Sequence, residues 1–330
     1  MIPLTKRISL FLALLLLLFS FASCSESPKE TESGKPKLRL LALNGPTGIG
    51  FSSLFGEDAK GNTQIDYDFS FYNAPDELAA AVIRGDFDIA CLPVNLAPTL
   101  YKKTGGELRM LAVNTLGVLY LIDNGNGVSS AADLKGKTVW NTGKGATPEF
   151  ILNAVLSAYG LEAGRDVTVE YTASGAELAS ACIADLRSLA VLPEPNVTSV
   201  LMQNPSFSRV IDLAAAYREK TGNEIIQGVT VVSKKFAEAH PEEVSLFLEE
   251  AEKSVEAVLS DPAAASLFAE SAGILPKAAI AEKAIPNCNI VCRYGKEANE
   301  ETLSMLKILL DSDPALIGGA LPDDDFFYFR

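Results

Sequence analysis

Few side chains in this sequence could do chemistry, and most of them stand where an apolar run ends. Glu194 follows the run LAVL at 189–192 and sits between Pro193 and Pro195, which restrain its backbone. A carboxylate held there suits a ligand with N–H donors or positive charge, such as an amine or an aminopyrimidine. It would repel nitrate or a sulfonate. Its alternative role is an acid that complements the dipole of the following helix. Two glycine-rich turns also follow short apolar runs: Asn44, Gly45, Pro46, Thr47 and Gly48, and then Gly143, Lys144, Gly145, Ala146 and Thr147. Such turns direct backbone N–H groups at an anion or a carbonyl. They serve equally where the chain needs positive φ. Lys144 offers a charge or is simply solvated. Thr47 and Thr147 offer hydroxyls or cap helices. Trp140 can stack on a ring or fill the core.

No catalytic constellation accompanies these residues. GPTGIG at 45–50 lacks the GxGxxG spacing, and GKGAT at 143–147 lacks the full phosphate-loop pattern. The sole histidine, His240, precedes Pro241 at a helix start away from both turns, and no serine or cysteine has a recognisable base. Cys91 and Cys182 read as buried thiols. Cys288 and Cys292 fit neither a zinc pair nor a redox CxxC, and a local disulfide between them stays open. The expectation is a binding protein, not an enzyme, with no metal and no cofactor.

The elements that position these residues alternate between strand and helix. Strands are expected at 38–43, 65–72, 88–92, 108–113 and 116–122, then at 138–140, 167–171, 189–192, 209–213 and 227–232. Helices fill the gaps, and residues 234–310 read as helical throughout, with Pro241, Pro262 and Pro276 as helix starts. The tail 323–330 is expected on the surface. This alternation means an α/β protein with mostly parallel sheets flanked by helices. Ligands in such sheets bind outside the carboxyl ends of the strands. The stretches there are the first turn, Asn73, Pro93, Val94, Asn95, Asn114, Thr115, the second turn and Glu194. They come from two units, so the expected site is a cleft between two lobes.

Composition narrows the class. The chain has 330 residues and a formal net charge of -14, which argues against nucleic acid and against a basic membrane-binding surface. Lys6 and Arg7 precede the apolar run 8–21 and then Ala22-Ser23-Cys24, the layout of a signal peptide (1–23) cut before a lipidated Cys24. A plain secreted protein and a membrane anchor are the alternatives, and the run is short for a spanning helix. Residues 24–36 are polar and charged and read as a disordered tether. The expected location is outside the cytoplasm, anchored to the membrane through lipid alone.

Taken in order, ALNGPTGIG at 42–50, RGDFDIACLPVN at 84–95, MLAVNTLGVLYLI at 110–122, DLKGKTVWNTGKGATPE at 133–149 and LAVLPEPNVTSVL at 189–201 carry a resemblance. The sequence resembles the type II periplasmic solute-binding proteins of ABC importers, in the branch of nitrate, sulfonate, taurine and thiamine-precursor binders (NitT/TauT). The resemblance implies a two-lobed fold, with lobe 1 formed by 37–115 and 228–330 and lobe 2 by 116–227. Crossing strands near 114–116 and 227–229, Gln227 among them, would form the hinge. It implies ligand contacts in the first turn, at 93–95 and at 142–147, and an ABC permease and ATPase as partners of a monomer. The alternatives are a ligand-sensing lipoprotein without transport, a sulfonate or oxyanion binder and, less favoured, an enzyme of thiamine-precursor synthesis.

Overall fold

The computed structural model describes residues 34–328. The expected signal peptide, Cys24 and nearly all of the expected tether lie outside the described residues. From Lys37 the chain builds a six-stranded sheet. Strand β1 (Lys37–Leu43) buries Leu38, Leu40, Leu41 and Ala42 and exposes Lys37 and Arg39, as a central strand with a solvated start requires. It pairs in parallel with β2 (Asp66–Tyr72) and β3 (Ile89–Pro93). The crossovers are helical: α1 (Pro46–Ile49) and α2 (Ser52–Ala59), then α3 (Pro75–Arg84). Helix α4 (Leu96–Lys103) leads to β4 (Leu108–Leu116).

The chain then leaves for a second sheet of five strands. These are β5 (Leu119–Asp123), β6 (Thr138–Thr142), β7 (Thr168–Thr172), β8 (Leu189–Pro193) and β9 (Ser208–Asp212), in spatial order β7-β6-β8-β5-β9. Helices α5 (Thr147–Ala158), α6 (Gly175–Ile183), α7 (Asn196–Gln203) and α8 (Leu213–Thr221) connect or follow them. Strand β10 (Ile226–Ser233) returns to the first sheet. Helices α9 (Lys234–Ala239), α10 (Pro241–Ser260), α11 (Pro262–Ser271) and α12 (Ala278–Ala284) follow, then β11 (Ile290–Tyr294) and α13 (Lys296–Ser312). The first sheet has the order β11-β4-β10-β3-β1-β2.

Both sheets are mixed, which corrects the expectation of mostly parallel ones. Strand β10 runs antiparallel to both β3 and β4, and β5 antiparallel to both β8 and β9. The cause is the double crossing between sheets. Strand β5 follows β4 through Gly117 and Val118 with no helix between them, β10 returns after α8, and each enters its sheet against its neighbours. The βαβ units beside them remain parallel.

Two other expectations hold only in part. The stretch 234–310 is not helical throughout, because residues 290–294 form an edge strand on β4. The described tail is on the surface only in part, with 323–325 exposed and Phe326 and Phe327 buried. Phe326 is fully buried, its ring edge-on to Tyr101 at 5.3 Å between centroids, and Tyr328 N–H donates to the Met110 carbonyl at 2.9 Å. The tail acids sit outside this contact, with Asp323 accepting from the Tyr101 hydroxyl at 2.6 Å.

Candidate functional site

The first turn forms where β1 and β2 end side by side. Asn44 N–H donates to the Tyr72 carbonyl at 2.8 Å, and the Asn44 amide donates to Asn73 Oδ1 at 2.8 Å. Asn44 and Asn73 are thus brought together, and Asn44 Oδ1 is buried without a partner among the described residues. Gly45 has a φ of 88°, and its carbonyl accepts from both Gly48 and Ile49 N–H groups. Its own N–H goes to the Ile274 carbonyl at 3.3 Å. Pro46 has no N–H to give. A Cβ on Gly48 would stand 2.8 Å from the Leu43 carbonyl oxygen, so that glycine answers to packing. What the turn leaves free is Thr47, whose N–H and hydroxyl have no hydrogen-bond partner among the described residues.

The crossing lies at β4 and β10, with β3 between β10 and the strand that leads to this turn. Chain passes from β4 to β5 through Gly117 and Val118, and Gly117 N–H donates to Ile225 carbonyl at 2.8 Å, just before β10. A Cβ on Gly117 would meet Ala214 Cβ of α8 at 2.8 Å and Ile225 Cγ2 of the returning segment at 3.0 Å, so neither leaves room for a side chain. Asn114 and Thr115, at the end of β4, are buried here. The Asn114 amide donates to Thr230 Oγ1 at 3.1 Å and its oxygen accepts from the Thr115 hydroxyl at 2.9 Å. Their hydrogen bonds knit β4 to β10 rather than meeting solvent. Val94 N–H donates to the Gln227 carbonyl at 3.0 Å, joining the end of β3 to the same crossing. Pro93 ends β3, and Asn95 stands at the start of α4, where its carbonyl accepts from Thr99.

On the second sheet, the glycine-rich turn closes on itself. Gly143 and Gly145 take φ values of 64° and 75°. The N–H of Gly145 is taken by Glu149, whose other oxygen accepts from the Tyr171 hydroxyl at 2.7 Å. Lys144 Nζ lies 5.7 Å from the Tyr171 ring centre. Burial and the Glu149 bond push the Tyr171 hydroxyl above its ordinary pKa. Glu149 and Tyr171 are therefore part of this turn, and sequence reasoning missed both. The available signal for Glu149 was an acid in the first turn of a helix opened by Pro148. Ala146 is the N-cap residue, and no side chain caps the helix, so Thr147 keeps its hydroxyl for other use. One face of Trp140 is covered by the Arg187 guanidinium, 3.7 Å from its ring centre.

Glu194 follows β8 and is enclosed by protein. Its side chain is fully buried and ion-paired with Arg209, and it accepts from Thr198 N–H at 3.1 Å. Burial pushes its carboxyl above the ordinary value, while Thr198 N–H and the Arg209 charge pull the other way and do not cancel the shift. Arg209 also lies over the Tyr120 ring at 4.6 Å and donates to Asn287 Oδ1 at 2.6 Å. The Tyr120 hydroxyl donates to the Asn287 carbonyl at 2.8 Å. Asn287 precedes β11 of the other sheet, so this group spans the two. A sequence gives no sign of Arg209, a lone basic residue opening a short strand. All four described cysteines, Cys91, Cys182, Cys288 and Cys292, are free thiols.

Residues 108–265 match the family model described as NMT1/THI5 like. The match spans just under half of the chain. The fold of the chain is that of the periplasmic binding proteins. An ABC transporter from Parabacteroides distasonis superposes with a TM-score of 0.75 at 22% identity, covering 90% of this chain and 100% of that one. The periplasmic aliphatic sulphonate binding protein SsuA from Escherichia coli gives 0.66 at 14% identity, over 89% and 96%. The periplasmic nitrate-binding protein NrtA from Synechocystis PCC 6803 gives 0.57 at 13%, over 85% and 82%. No curated protein matches in sequence.

The matched stretch takes in the Gly117 crossing, the second turn and the Glu194–Arg209 pair. The first turn, with Asn44, Asn73 and Thr47, lies before it, and Asn287 lies after it. The group around Arg209 therefore joins the matched stretch to the rest of the chain.

Proposed function

We propose that this protein is the solute-binding component of an ABC importer, held outside the cytoplasm by a lipid on Cys24. A small organic solute enters between lobe 1 (37–115 and 228–330) and lobe 2 (116–227), and the lobes close on it about the paired crossing. It then passes to a membrane permease driven by an ATPase. The protein acts as a monomer and does no catalysis on this reading.

The single observation that carries the proposal is the crossing at Gly117 and Ile225. Two α/β halves joined by two adjacent strands of one chain can rotate about that line once the bonds of Arg209 and Tyr120 to Asn287 give way. A ligand touched by both halves only when they close shifts the equilibrium by its differential affinity. Thr47 on one half and the second turn on the other supply polar groups at strand ends, where such sheets bind ligands.

The Glu194–Arg209 pair sets the charge at this place near zero. An amine ligand would draw Glu194 from Arg209; a sulfonate or oxyanion would draw Arg209 from Glu194. The names of the relatives from Escherichia coli and Synechocystis, a sulphonate and a nitrate binder, support the second alternative. A thermal-shift panel of sulfonates, oxyanions, amines and pyrimidines tests the proposal. A binder at a hundredfold excess over its Kd stabilises by about 2.7 kcal/mol and raises the melting temperature. If every class leaves the melting temperature unmoved, the reading fails.

A further inference from the structure

At the end of the six-stranded sheet opposite the turns, where β1 and β3 begin and β10 finishes, lies a cavity of 660 Å³. Small-molecule sites commonly occupy about 300–1,000 Å³. Its floor is apolar, made of buried Val82, Phe87 and Phe236, and His240 stacks on Phe236 at 4.9 Å between centroids. One wall is a fixed cation. The Arg39 guanidinium donates to both oxygens of Asp88, at 2.8 and 3.2 Å, and to the carbonyls of Phe87 and Gly85. Arg84 is matched by Asp86 at 2.6 Å.

Two further cations line the space: Lys103 in the last turn of α4 and Lys235 in the first turn of α9. Neither has a hydrogen bond or ion pair among the described residues. Of the lining carboxylates, Asp88 is matched by Arg39, which leaves Glu107 alone against both lysines. The lining is thus net positive in a chain whose net charge is -14. An apolar floor beneath unpaired ammonium groups suits a ligand with an apolar body and one negative group.

We propose that this cavity is a second ligand site that takes a small amphipathic carboxylate. The carboxylate lies between Lys103 and Lys235, and an aliphatic or aromatic body lies over Phe87 and Phe236. The site shares no residue with the turns and crossing described above, so it stands or falls apart from the transport reading.

The test is a titration of naphthalene-2-carboxylate into the isotope-labelled protein, followed by amide NMR. Saturable shifts are expected at Gly85, Thr104 and His240, with a Kd of about 1 mM or tighter. The double variant Lys103→Glu/Lys235→Glu, altered at exposed positions, should weaken binding by about tenfold or more. The milder Lys103→Gln/Lys235→Gln pair should move it in the same direction. Thr47→Val should leave this titration unchanged. Shifts confined to 44–48 and 142–147, no saturation, or double variants that bind like wild type would each overturn the proposal.

Discussion

The carboxylate of Glu194 is buried against the guanidinium of Arg209, and through Asn287 that pair is tied to the other sheet. Removing the cation leaves a buried acid unmatched. Arg209→Met is expected to lose about 3–5 kcal/mol in urea unfolding. The double variant Glu194→Gln/Arg209→Met should recover part of that loss, because the stranded charge is gone. A double variant no more stable than the single would show that the pair is not coupled.

Glu194 also sets a pH dependence. Its folded-state pKa is raised, so the native state binds this proton more readily than the unfolded chain does. Its contribution is fully present below the ordinary value of 4.5 and is lost as pH rises through the folded value. Glu194→Gln removes that slope. Relative to wild type, the variant should gain stability as pH rises from 4.5 upward, measured by urea midpoints across the range. A constant difference would contradict the assignment.

Asp123 works in the opposite direction. Burial disfavours its charge, but bonds from Asn126, Val128 and Gly127 outweigh burial and hold its carboxyl below 3.8. Its stabilisation is present above that value and disappears as pH falls through the folded one. Asp123→Asn should be less stable than wild type at neutral pH, and the gap should close in acid. A gap that persists at the lowest pH would count against this reading.

How much of this was legible beforehand follows from what each residue depends on. The turn at Asn44–Gly48 and the glycines at 143 and 145 could be found because local chain geometry demands those residue types. The parallel βαβ units could be found for the same reason, since strand and helix alternate along the sequence. Arg209, Asn287 and Tyr171 could not, because each acquires its role from a partner distant in the chain. The burial of Asn114 could not be read for a related reason: it stands at a strand end as its position indicates, but β10, which buries it, arrives more than a hundred residues later. The strand β11 has only five residues and follows helices, so its apolar residues fit either pattern.

Phe326 in the tail tests one of these corrections. It is fully buried against Tyr101 and Phe327. Phe326→Ala should cost about 3–5 kcal/mol by urea unfolding. A loss below about 0.5 kcal/mol, the range of surface substitutions, would return the tail to the surface.

The crossing is tested by Gly117→Ala. The added methyl would lie 2.8 Å from Ala214 Cβ and 3.0 Å from Ile225 Cγ2. Relief requires a backbone shift of one passing segment, at about 1–3 kcal/mol. Affinity for the solute should change with it, although Gly117 need not touch the solute. Unchanged stability and affinity would remove the crossing from the account.

The central claim is that a small solute is held between the two sheets with Thr47 as a contact. Native mass spectrometry of the protein as purified measures this directly. The account predicts a small-molecule adduct on the wild type, at lower occupancy on Thr47→Val, with the two proteins unfolding alike. An adduct of equal occupancy on both, or a wild type that takes up no solute from a panel of sulfonates, oxyanions, amines and pyrimidines, would contradict it.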